Sequence, residues 1–161
     1  TFGSAASSYT FSSIAASWTD LILVISGTGD SGGYVGVQLG NGSADTGTHY
    51  SRTWVYGNGT SAGSNRVANE TAWYMDAGSG SSTTPSSTVL QIMNYANTTT
   101  YKTSICRVYS YLIPGPAAFV YLWRGATGSS TEAINTIKIN GSGSSTIQSG
   151  TTMSLYGIKA A

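Results

Sequence analysis

Tyr34-Val35-Gly36-Val37-Gln38-Leu39 sets an apolar side chain at every second position, so Val35, Val37 and Leu39 share one side of an extended chain. That alternation marks a strand with one face on a core. It returns in Ile137-Lys138-Ile139 and in Met153-Ser154-Leu155. No window of the roughly 11 residues that a helical stripe needs carries a 3.6-residue apolar period. Strand-like segments bounded by Gly, Ser, Asn or Pro fall at 9–13, 19–26, 34–39, 49–56, 71–77, 88–94, 102–111, 119–124, 136–140 and 152–159. The spacing predicts an all-β antiparallel sandwich, jelly-roll-like, of about ten short strands. A length of 161 residues suits a single domain over residues 1–161.

One segment departs from the alternation. Leu21-Ile22-Leu23-Val24-Ile25 is apolar on both faces, which calls for cover on both sides. The second cover is either another layer of the same domain or a neighbouring subunit. Leu21, Ile22, Leu23, Val24 and Ile25 are therefore the candidate oligomer contacts.

Composition narrows the function. Apolar residues make up 40% of the chain and charged residues 8%, far below the roughly 25% of an ordinary soluble domain. An aromatic content of 11%, with 11 Tyr and 4 Trp, argues for a folded core and against disorder. A net charge of +1 supplies no long-range field for nucleic acid or an anionic membrane, so neither is an expected partner. No apolar run reaches the ~18 residues of a membrane helix, and membrane insertion is not expected. Cys106 is the sole cysteine and sits in an alternating segment, where it reads as a small buried hydrophobe.

The inventory for chemistry is thin: His49 and the carboxylates Asp20, Asp30, Asp45, Glu70, Asp76 and Glu132. No Gly-x-Ser-x-Gly elbow lies near His49, which reads as a surface or turn residue. One His and one Cys far apart do not build a zinc site, and no loop has the Asp spacing of a calcium cage. Glu70 and Asp76 flank a strand-like segment at opposite ends, too far apart for the two carboxylates of a glycosidase unless strands or subunits pair them. The Gly-rich loops lack Gly-Lys-Ser/Thr and carry no nucleotide signal. The expectation is no catalytic residue, no metal and no cofactor. Asn41, Asn58, Asn69, Asn97 and Asn140 begin Asn-x-Ser/Thr triplets, which so Ser- and Thr-rich a chain produces by chance.

Binding is easier to support. Tyr and Trp give flat faces to sugar rings, and Asn supplies hydrogen bonds at modest desolvation cost. Trp54, Tyr56, Asn58, Tyr95, Asn97, Tyr109 and Tyr111 lie near predicted strand ends or turns and are the candidate glycan contacts.

The chain also resembles a family of domains from phage tail-fibre, head-fibre and decoration proteins. The matching pieces run in order from Ser8-Tyr9-Thr10-Phe11 and Trp18-Thr19-Asp20-Leu21, through Tyr34–Leu39 and Tyr56-Gly57-Asn58-Gly59. They continue with Ile92-Met93-Asn94-Tyr95-Ala96-Asn97 up to Tyr101-Lys102, then Leu122-Trp123-Arg124, and close on Leu155-Tyr156-Gly157-Ile158-Lys159. Within that last piece, Gly157 is expected where a backbone or aromatic ring comes close. The resemblance implies a β-sandwich on the surface of a virion, often at the carboxyl end of a longer fibre, and a homotrimer. It implies other virion proteins as partners and host surface polysaccharide as a ligand. It brings no catalytic residues. The alternatives are a capsid cement with no receptor role, and a carbohydrate-binding module or polysaccharide depolymerase.

Overall fold

The computed structural model describes residues 1–27, 34–57, 60–75, 85–110, 115–142 and 145–160. Among the described residues there is no helix, and the strands are β1 (Ser8–Phe11), β2 (Asp20–Gly27), β3 (Val35–Asn41), β4 (Ser43–Ala44), β5 (Tyr50–Gly57) and β6 (Ala62–Glu70). They continue as β7 (Trp73–Met75), β8 (Ser86–Met93), β9 (Lys102–Ser110), β10 (Gly115–Trp123), β11 (Thr136–Gly141) and β12 (Thr152–Ile158).

All pairings are antiparallel, and two sheets form a sandwich. One sheet has five strands in the order β1-β11-β3-β4, with β7 also paired to β3. The other has seven, in the order β12-β2-β8-β9-β10-β5-β6, so β9 is its middle strand. Between them lies one core. Its aliphatic half comes from Leu21, Leu23, Ile25, Leu90 and Ile92 against Val37, Leu39, Ile137 and Ile139. Its aromatic half is built by Tyr50, Trp73, Phe119, Tyr121 and Trp123. Phe119 and Tyr121 stack at 5.6 Å, and the Trp73 ring lies 5.4 Å from Tyr121 across the sandwich. The Trp73 indole N–H donates to the Leu122 carbonyl (3.1 Å), which satisfies a polar group that the core would otherwise strand.

The predicted sandwich is present, with two differences in its strands. Residues 62–70, read from sequence as part of a loop, form β6, the outer neighbour of β5. An edge strand needs no alternating apolar set, and Gly63-Ser-Asn-Arg-Val-Ala-Asn-Glu has none. In β3, the expected wet face is covered as well. Gln38 is buried, and its amide donates to the Thr71 carbonyl (3.0 Å) while Ala72 and Tyr74 lie against Gly36.

Gly157 behaves as its place in the closing segment suggests. The indole of Trp18 lies flat on it, and a Cβ there would run into that ring. The chain leading into β2 is thereby held over β12, with the Thr19 N–H donating to the Ile158 carbonyl (2.7 Å).

Candidate functional site

Three polar clusters collect the residues able to do chemistry. In the first, the buried carboxylate of Asp45 accepts from His49 Nδ1 at 2.9 Å and from Trp123 Nε1 at 2.8 Å, both on Oδ2. Its Oδ1 accepts from the Gly47 N–H (2.8 Å), and its backbone carbonyl accepts from the Tyr50 hydroxyl (2.9 Å). Burial pushes that phenol far above its usual pKa and keeps it a donor. Gly128 (φ 78°) packs so close to the imidazole that a side chain there would collide with it. His49 was expected alone on a loop, and the structure pairs it with Asp45 instead. This is the carboxylate–imidazole half of a hydrolase triad, but among the described residues no hydroxyl or thiol hydrogen-bonds to His49. The pair ties the 45–49 turn to β10. Sequence carried a usable sign of it, since Asp-x-Gly-x-His closes through an Asx-type turn.

In the second cluster Arg52 and Glu70 form a mostly buried ion pair at 3.1 Å. The Arg52 guanidinium lies 4.8 Å from the centre of the Trp54 ring and donates to the Tyr74 carbonyl (2.8 Å). Burial raises the Glu70 carboxyl above the ordinary range, and the nearby Arg52 charge offsets only part of that. Asp76, its partner in the glycosidase reading, lies outside the described residues.

The third cluster is Lys102, which is fully buried. Its ammonium donates to the carbonyls of Asn97 (2.6 Å), Thr100 (2.9 Å) and Thr131 (3.2 Å). Three protons meet three acceptors, and this clamps the turn before β9 to the loop after β10. Burial lowers its pKa, against a pull upward from Glu132. Among the described residues, no group of three or more His, Cys, Asp or Glu could hold a metal ion.

Of the described candidate glycan contacts, only Tyr56 and Tyr109 come together, both lining a depression at the end of the seven-stranded sheet. Tyr95 is buried in the core, and its hydroxyl donates to the Ala15 carbonyl and accepts from the Trp18 N–H, so it has no face to offer a ligand. Trp54 has Phe119 stacked at 6.0 Å and Arg52 over its ring, and Tyr56 packs on the core edge. Asn97 is exposed, but its side-chain oxygen caps its own turn by accepting from the Thr99 and Thr100 N–H groups. Asn58 and Tyr111 lie outside the described residues. Tyr109 is the one aromatic ring among the described candidates that stands out into solvent.

The candidate oligomer contacts split by parity. Leu21, Leu23 and Ile25 are buried inside the sandwich and present nothing to a second subunit. Ile22 and Val24 point the other way and are half-buried on the outer face of the seven-stranded sheet. There they join a surface that sequence reading missed. Register places Tyr156, Ile22, Gln91, Ile105, Val120 and Thr53 in one row across six strands. The adjacent row is Ser154, Val24, Val89, Arg107, Ala118 and Val55. Val55, Ile105, Tyr109, Val120 and Tyr156 expose between 49% and 56% of their surface. A depression of about 820 Å³ lies at the end of this face, between Val55, Val89, Tyr109 and Ala118.

No protein-family model, no curated protein and no solved structure matches this chain.

Proposed function

We propose that this chain is a structural contact module of a virion surface, which works by docking and does no chemistry. The observation that carries the reading is the outer face of the seven-stranded sheet. Solvent-facing sheet surfaces are ordinarily polar, and large exposed apolar patches mark interaction sites. Here aliphatic and tyrosine side chains take most of the places in two adjacent register rows. Among the described residues, groups that catalysis would recruit are engaged within the fold: Asp45 with His49, Glu70 with Arg52, and Lys102 with three carbonyls. The virion setting rests on the family resemblance, which matches the chain in ordered pieces along nearly its whole length. Fibre tip and capsid decoration are both forms of this one role.

The test is immunogold labelling. An antibody raised against the folded chain should decorate the outside of intact phage particles in the source virus preparation. Label restricted to the soluble fraction overturns the virion reading, and release of reducing ends from bacterial capsule by the purified chain overturns the non-catalytic one.

A second reading, adhesion to neutral host glycans, is favoured by Tyr109 at the mouth of the depression beside Ser87 and Arg107. One exposed ring makes a weak site, and such adhesion would depend on many copies acting together.

A further inference from the structure

The contact-module reading leaves open what lies on the apolar face, and charge supplies the answer. Among the outward residues of the seven strands, Asp20 is the only carboxylate; of the two outward cations Arg66 lies on the edge strand β6 and Arg107 at the middle of the face. Arg107 is exposed on the central strand, and among the described residues no carboxylate pairs with it. Asp20 accepts from Gln91 Nε2 (2.9 Å) through Oδ2 and from the Asn94 N–H (2.9 Å) through Oδ1, and each oxygen keeps a second lone pair. Their positions are related through Gln91. It pairs with Ile22 on β2 and with Ile105 on β9. Asp20 lies two residues before Ile22, Arg107 lies two after Ile105, and Gln91 is midway between them.

We propose that a second copy of this chain docks face to face on this sheet, with Arg107 of each copy set against Asp20 of the other. The proposal rests on the contact-module reading and names its partner. A twofold axis lying in the interface and passing over Gln91 superposes the cation of one face on the carboxylate of the other, twice. The uncharged residues then meet residues of the same kind, as an isologous contact requires. Sheets packed face to face in this way sit about 10 Å apart, the spacing that interdigitated Ile, Val and Tyr side chains fill. The five half-exposed apolar side chains supply on the order of 500 Å². With the half-buried Ile22, Val24 and Val89 and a polar rim, the face reaches the roughly 800 Å² per partner of a stable pair. An Arg in the centre of an apolar patch is also the residue type most enriched in interface cores.

Sedimentation equilibrium of the full chain is the experiment, with circular dichroism and a thermal melt on every variant as the control for folding. The expected wild-type particle contains two copies. Ile105→Glu and Val120→Glu each change an exposed side chain, and should leave the circular dichroism spectrum unchanged, and the melt unchanged at concentrations too low for pairing, while raising the dimer Kd by at least about a hundredfold. Arg107→Asp should raise it about tenfold or more, and Arg107→Asp with Asp20→Arg should recover most of that loss. A wild-type chain that stays monomeric at about 100 μM, a particle of three copies, association untouched by Ile105→Glu, or a charge swap without recovery overturns the pairing. A monomer that still labels particles overturns the pairing alone. A dimer absent from particles overturns the virion reading alone.

Discussion

Strand β9 shows two environments one residue apart. Its inward side chains, Lys102, Ser104, Cys106 and Val108, are buried between the sheets, and its outward ones, Ile105, Arg107 and Tyr109, stand in solvent. Each side carries one cation. Lys102 is enclosed by three carbonyls that use every proton it has, whereas Arg107 sits among apolar neighbours with no acid beside it. On the inner face the Lys102 ammonium is fully answered and rings stack on rings, while the buried hydroxyls of Ser104 and Thr88 have no hydrogen-bond partner. The outer face carries a run of half-exposed apolar side chains around Arg107, at Val55, Ile105, Tyr109, Val120 and Tyr156. The two cations of this strand differ in whether their charge is answered within the chain.

Substitution breaks or sharpens that contrast in graded steps. The largest effect is expected from Trp123→Ala on the inner face, which opens a cavity and removes one of the two donors to Asp45 Oδ2. A loss of about 3–5 kcal/mol is expected in urea denaturation. Lys102→Met comes next, because it keeps the length of the side chain but leaves three carbonyls unanswered. A loss of about 2–4 kcal/mol is expected, and a loss under about 0.5 kcal/mol would show that the ammonium contributes nothing net.

Glu70 tests the contrast through pH. Its folded carboxyl is raised above the ordinary value of 4.5, so the native state holds the proton more tightly than the unfolded chain. The resulting stabilisation is fully present below about 4.5 and is lost as pH rises through the raised value. Relative to Glu70→Gln, the wild type should therefore gain stability on acidification from neutral toward 4.5. A difference that shrinks over that window would mean that Arg52 outweighs burial. The smallest effect on folding belongs to the outer face, where Val120→Thr should shift stability by no more than about 0.5 kcal/mol.

Much of the fold was legible in the chain, and the reasons are local. Val35, Val37 and Leu39 alternate because their strand lines a core, and Ile137 and Ile139 face them through the register of β11. Gly157 announced a close approach, although nothing near it named Trp18 as the ring. Strand β6 was illegible because an edge strand with both faces wet has no periodicity to read. The site was harder. Tyr95 lies in an Asn-rich turn and reads as exposed, yet the chain before β2 folds over it and takes its hydroxyl. Lys102 opens a strand, and its cage was not legible because the third carbonyl comes from Thr131, 29 residues on. The outer apolar face was visible only in part, as Ile22 and Val24. The rest is spread over strands that sequence does not put side by side, and register alone assembles it.

Cys106 sits at the midpoint of the central strand with its sulfur turned inward and no accessible surface. An alkylating reagent therefore meets this thiol only when the middle of the sheet parts, so its labelling rate clocks whole-molecule opening and ignores fraying at the edges. For the same reason an oxidising exterior cannot weld neighbouring folded molecules through this thiol.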